Sequence, residues 1–225
     1  MSQESEKSYF ESFWKSNLPT RNLFIIITIS YVIISIVSIV RGEITGFIDV
    51  FTISDDILAR VGQYNLLVLN GHVYQLFTSI FVHIDVLHFL SNCLFLFIFG
   101  LRAEERLLSW HYYFIFIISG LMGGLLSLAF GPNTISAGAS GGVFGLLGVA
   151  IVLAYEEDKR KSIWSYSGVG VIFLVITGGM NVNFLAHAIG LVSGILLSLF
   201  VLKKRKHEKQ IPKINQHTAK NLKNQ

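Results

Sequence analysis

Of the 225 residues, 52% are hydrophobic and only 14% charged, against about 25% charged in an ordinary soluble domain, which excludes a soluble globular fold and points to an integral membrane protein. The net charge of +4 does not make a nucleic-acid binder, because eight of the eighteen Lys and Arg lie beyond Leu202. There they abut an apolar stretch, as cytoplasmic flanks do, and no aromatic-interleaved basic motif accompanies them. The single Cys93 excludes an internal disulfide.

Residues 1–22 are polar and mixed in charge, with Lys7, Lys15 and Arg21 ahead of the first apolar run. Leu23 to Val40 is uncharged, and Arg41-Gly42-Glu43 follows it where a signal peptide would carry a small-residue cleavage site. A retained first span is therefore expected over about 23–41. Between 42 and 82, Glu43, Asp49, Asp55, Asp56 and Arg60 are scattered among apolar residues. Such a mixture cannot cross a bilayer and suits a folded loop at the interface, anchored by Tyr64 and Tyr74.

The second span is expected at 83–101. Leu107 to Tyr155 is uncharged and too long for one helix, and Gly131-Pro132-Asn133 divides it into spans at 110–130 and 140–155. Gly178-Gly179-Met180-Asn181 likewise divides the uncharged Ser162 to Leu202 into spans at 163–180 and 184–202. The expected fold is an all-α membrane protein: a six-transmembrane-helix bundle, 23–202, with a long interfacial first loop, 42–82. Short tails, 1–22 and 203–225, flank it.

Lys and Arg number three in the first tail, two after the second span, three after the fourth and eight in the last tail, while the opposite loops hold only Arg41 and Arg60. By the positive-inside rule both termini are cytoplasmic, which puts the long loop and the start of the fourth and sixth spans on the outer side of what is expected to be the cell membrane.

The chemistry centres on Ser136 to Gly148, S-A-G-A-S-G-G-V-F-G-L-L-G, where Ser140 stands between glycines at the head of the fourth span. The sixth span opens F-L-A-H-A-I-G-L-V-S-G, and its His187 is an ionisable group inside an apolar helix, which by default marks a functional site. Ser140 and His187 each lie sixteen residues from the first charge at the cytoplasmic end of their span. Both therefore sit ~24 Å up a hydrocarbon layer about 30 Å thick. Gly141, Gly145 and Gly148 form one small-residue stripe, and His187, Gly190 and Gly194 share a face of the other helix. Small residues at this spacing let membrane helices pack closely, and a neutral imidazole is the usual base for a serine nucleophile. With no Asp or Glu in the fourth, fifth or sixth span, the pair is a dyad. His88 and Asn92, at i and i+4 on the second span, are candidate oxyanion donors together with the Ser140 backbone amide. His83, about 140° round that helix, is assigned to loop support.

In this order, H-I-D-V-L-H-F-L-S-N (His83 to Asn92), G-A-S-G (Gly138 to Gly141) and A-H-A-I-G-L-V-S-G (Ala186 to Gly194) resemble the motifs of the rhomboid family of intramembrane serine proteases. The resemblance covers about Gly71 to Phe200. It implies Ser140 as nucleophile, His187 as general base, His88, Asn92 and the Ser140 amide as oxyanion donors, and Phe144 as an aromatic residue beside the catalytic histidine. Gly138, Gly141, Gly190 and Gly194 belong to the matching motifs as supporting positions. Glu104 and Arg106 resemble the family's E-x-R, whereas Tyr74-Gln75 stands where many members have Trp-Arg, so an arginine-anchored first loop is not expected here.

Taken singly, each feature has a plainer meaning. A serine between glycines is usually a packing residue, a lone histidine fits a proton relay, and Asn92 fits an interhelical hydrogen bond. Jointly they favour a protease acting in or near transmembrane segments of other membrane proteins, with no cofactor and no metal. The chain lacks the H-E-x-x-H of zinc proteases and paired intramembrane aspartates. The other classes weighed are a non-proteolytic rhomboid-like binder of transmembrane clients, and a transporter, which would call for internal repeats.

Overall fold

The computed structural model describes residues 18–41, 51–177 and 184–223, with side chains described as far as Lys204. Six long helices are present among them: α1 (Pro19–Val40), α5 (Val86–Glu104), α6 (Ser109–Ser127), α7 (Ser140–Glu156), α8 (Arg160–Thr177) and α9 (Phe184–Lys223). Between α1 and α5 lie the short helices α2 (Asp55–Val61), α3 (Asn65–Leu69) and α4 (Gln75–Thr78), strand β1 (Gln63–Tyr64) and a 3₁₀ turn, Ser79–Phe81. Strand β2 (Ile135–Ser136) immediately precedes α7.

Helices α1, α5, α6 with its 3₁₀ extension to Phe130, and α9 as far as Lys204 are each long and apolar enough to cross a membrane. Helix α7 is shorter and α8 begins on Arg160 and Lys161. The boundaries differ from the expected ones for local reasons. Helix α5 starts at Val86, not near His83, because the Asp85 side chain caps it by accepting the His88 backbone N–H. Helix α6 passes into a 3₁₀ turn, Leu128–Phe130, that stops at Gly131, which adopts φ 96°. Helix α9 continues as helix past Leu202 to Lys223. The Gly178 to Asn181 break lies outside the described residues.

Helix α7 is the centre of the bundle. Fourteen of its seventeen residues are buried, as befits a helix apolar on every face. It packs on α5, α6, α8 and α9. Helix α1 leans on α5, where Tyr31 stacks on Phe89 with ring centroids 4.6 Å apart, while Ile29, Ile33 and Ile36 face outward.

The first loop is pinned to the segment that leads into α7. Strand β1 pairs antiparallel with β2, Gln63 opposite Ser136 and Tyr64 opposite Ile135. Buried amides extend this clamp. Gln63 Nε2 donates to the Gly124 carbonyl and to Ser127 Oγ, both at 2.8 Å, and Asn65 Nδ2 to the carbonyls of Ser127 and Gly131, also at 2.8 Å. Gln75, fully buried, accepts from the Tyr64 N–H at 3.0 Å and donates to the Ala59 carbonyl at 2.9 Å. The loop is thus anchored by a neutral glutamine at the position where the family resemblance leads one to expect arginine. Gln75→Leu is expected to cost about 1–3 kcal/mol, because a buried backbone N–H and a carbonyl lose their partners. Equilibrium unfolding in detergent measures it.

At the opposite end, Glu157 collects three cations, Arg102 at 2.9 Å, Arg106 at 3.0 Å and Lys159 at 2.7 Å. Hydrogen bonds from Lys159 and then Arg102 pull its carboxyl down to about 2. A carboxyl lowered on folding stabilises the fold above its ordinary value, and that contribution fades as pH falls toward about 2. The difference in melting temperature between the parent protein and Glu157→Gln is accordingly expected to be present at neutral pH and to close on acidification through that window.

Candidate active site

Ser140 is the first residue of α7 and His187 lies in the first turn of α9. Ser140 Oγ and His187 Nε2 are 2.7 Å apart, and the two residues are 8% and 7% exposed. The two glycine faces do meet. A Cβ on Gly194 would overlap the Gly145 carbonyl, one on Gly190 the Gly141 carbonyl, and one on Gly148 would stand 2.7 Å from Ile195 N. Any side chain at these positions would push α7 from α9, and Ser140 from His187.

The approach to Ser140 is fixed by β2 and the turn after it. Gly138 N–H donates to the Ser79 carbonyl at 2.9 Å. Gly138 itself has φ 133°, and a Cβ there would lie 2.7 Å from Cε1 and 2.8 Å from Nε2 of His88. Only glycine accommodates both this backbone conformation and this contact. His88 therefore lies against the turn that carries Ser140. The Ser140 amide, in the first turn of α7, has no helical acceptor.

A cavity of about 700 Å³ opens over these groups, with Ser140, His187, His88, Gly138 and Gly141 in its wall. Asn92 is not in that wall. It is fully buried one turn deeper, and its Nδ2 donates to the His88 carbonyl at 2.8 Å. Of the two side chains expected to face an oxyanion, the structure brings His88 to the serine and holds Asn92 behind it. Asn92 Nδ2 carries a second hydrogen.

His187 has no carboxylate partner among the described residues, and an aromatic stack holds its ring instead. Phe144 lies on it at 4.8 Å and 21°, Phe173 of α8 lies on Phe144 at 4.9 Å, and Phe95 of α5 on Phe173 at 4.2 Å. His83 precedes α5, so its helical angle to His88 has no meaning. It is buried with its ring centroid 5.2 Å from that of His88, packing behind it. Glu104 and Arg106 lie at the far end. The Glu104 carboxylate accepts the Thr20 N–H at the start of α1, and Arg106 pairs with Glu157. Among the described residues no three or more His, Cys, Asp or Glu gather as metal ligands would.

Sequence reasoning missed the polar clamp of Gln63, Asn65, Gln75 and Ser127. The signal was present only as uncharged amides in a half-apolar loop, and their partners are backbone carbonyls that a sequence does not display. It also left Asp85 without a role. A helix-capping residue directly before the His88 helix was there to be seen.

A family model described as a rhomboid domain matches residues 70–204. YdcA of Bacillus subtilis, provisionally named a rhomboid protease, is 30% identical over 152 residues, 64% of this chain and 75% of its own length. The rhomboid protease GluP of the same organism is 26% identical over 86% of this chain and 37% of its own. Inactive rhomboid protein 2 of Homo sapiens is 35% identical over 57% of this chain but 16% of its own. The chain thus spans most of YdcA but well under half of the other two. With its domain matched along most of its length, this chain belongs to the rhomboid family of membrane proteins, which holds proteases and inactive members alike.

Proposed function

We propose that the protein is an intramembrane serine endopeptidase that hydrolyses peptide bonds in or near transmembrane segments of other membrane proteins. The observation that carries this is the 2.7 Å contact between Ser140 Oγ and His187 Nε2 in the wall of a cavity large enough for a peptide segment. His187 takes the hydroxyl proton as Ser140 Oγ bonds to the scissile carbonyl carbon. The charge developing on the carbonyl oxygen is met by the Ser140 amide and His88, with Asn92 supporting His88. His187 then returns the proton to the leaving amine. Water, deprotonated by the same imidazole, releases the acyl group from Ser140. The arrangement is a dyad whose imidazole is oriented by stacking on Phe144.

The substrate helix has to unwind to offer its backbone, since a helical peptide bond is shielded by its own hydrogen bonds. Substrates with small or helix-weakening residues at the cut follow from this. Entry is lateral, between α5 and α8, from the lipid bilayer. The Lys and Arg distribution supports a cell-membrane protein with both termini cytoplasmic and Ser140 toward the outer side.

Membranes containing the protein are expected to label with a fluorophosphonate probe, and the labelling to vanish in Ser140→Ala and His187→Ala. Labelling that survives Ser140→Ala rules out this nucleophile. The inactive human relative favours a second reading, a binder of transmembrane clients. Absence of both labelling and cleavage of a model transmembrane substrate would favour that one instead.

A further inference from the structure

The catalytic cavity is lined by a single carboxylate among the described residues, Asp85, which takes no part in the chemistry above. Asp85 caps α5 through the His88 N–H at 2.8 Å. Its backbone is bridged to Thr52, and the neighbouring Ile53 N–H donates to the Ile84 carbonyl at 2.7 Å, which fixes it in the cavity wall beside Phe51 and Thr52. Three residues ahead of His88, it stands about 4.5 Å further toward the outer surface by the rise of a helix.

Capping needs only an oxygen acceptor, which Ser, Thr and Asn supply as Asp does, and the positive end of α5 adds a modest preference for the charged one. The charge is nonetheless costly. An oxyanion has to form against His88 in the same partly closed cavity, and a carboxylate one turn away repels it. No Lys or Arg pairs with Asp85 among the described residues, the cations of the outer loop being engaged by Asp56. The outer side as a whole is negative as well. By sequence, its segments carry Glu43, Asp49, Asp55, Asp56 and Asp85 against Arg41 and Arg60. What is missing from this picture is a cation, and the substrate is the component that can bring one.

We infer that Asp85 determines specificity, selecting transmembrane substrates that carry Lys or Arg just outside the scissile bond. The substrate cation pairs with the carboxylate as the peptide settles over Ser140, and by neutralising it removes the repulsion that would oppose the oxyanion. This rests on the protease reading, whose substrate class it narrows.

The test uses the full chain in phosphatidylcholine vesicles and three model transmembrane substrates, identical except for Lys, Ala or Glu on the outer side of the cut. The parent enzyme is expected to show kcat/KM about fivefold higher for Lys than for Glu, the scale of one partly shielded ion pair, and added salt should shrink the ratio. Asp85→Asn keeps the capping oxygen and is expected to bring the ratio to about one, while Asp85→Lys inverts it. A purely structural cap would slow all three substrates alike and leave the ratio unmoved, so the ratio isolates the charge. A parent enzyme that cuts Lys and Glu substrates equally, or an Asp85→Asn variant that keeps the parent ratio, overturns the specificity role. In that case intact fluorophosphonate labelling of Ser140 leaves the protease reading standing. Loss of labelling together with no cleavage of any of the three substrates overturns both.

Discussion

Ser140→Ala is expected to lower cleavage of a model transmembrane substrate by about four to six orders of magnitude, while changing equilibrium unfolding in detergent by no more than about 1 kcal/mol. The hydroxyl is small and bonds to His187 Nε2, so little of the fold depends on it. His187→Ala should fall to the same floor, and the double variant no lower, because in the proposed dyad nucleophile and base act as one unit. A double variant slower than either single one by a further factor of ten would mean that the two residues act independently. The proposed mechanism would then be wrong even if both are needed.

The second large effect concerns residues that touch no substrate. In Gly194→Val the new side chain meets the Gly145 carbonyl and Cα, backbone atoms of a central helix that cannot step aside. The expected cost is about 3 kcal/mol or more, the range for overpacking a close-fitting core. Fluorophosphonate labelling should be lost with it, since α9 carries His187 and α7 carries Ser140. Gly168 on α8 is the control, with open space where its Cβ would go. Gly168→Ala is expected to leave labelling intact and to raise stability by up to about 1 kcal/mol, the helix-propensity gain over glycine. Equal damage from both substitutions would show that the effect at Gly194 is general fragility and not the closeness of two helices.

How much of this was legible beforehand differs by element, and the reason is physical in each case. Lipid forbids unpaired backbone and exposed charge, so apolar segments could be read from where charges stop and start, and the long apolar helices form there. The same ruler placed Ser140 and His187 at one height. The glycine face on each helix made a contact between them reasonable, but spacing did not show that the faces meet, and it is the structure that brings Ser140 and His187 to 2.7 Å. His83 was misplaced on a helix because a side-chain cap, not hydropathy, decides where α5 starts. The role of Gln75 could not be read at all. Its partners are the Tyr64 N–H and the Ala59 carbonyl, and every residue carries such groups, so nothing in the local sequence marks which ones a loop will bury.

The sequence by itself determined that this is a membrane bundle with a hydroxyl and an imidazole at matching depth, because spans and depths are set by local composition against a bilayer of fixed thickness. Only the tertiary structure decided which glycine meets which carbonyl, that His88 but not Asn92 faces the cavity, that a stack from Phe95 to Phe144 holds His187 where a carboxylate is missing, and that Asp85 stands in the cavity wall. Those facts depend on how helices far apart in the chain rotate against one another. That rotation is chosen by the summed packing of all their faces and is written at no single position.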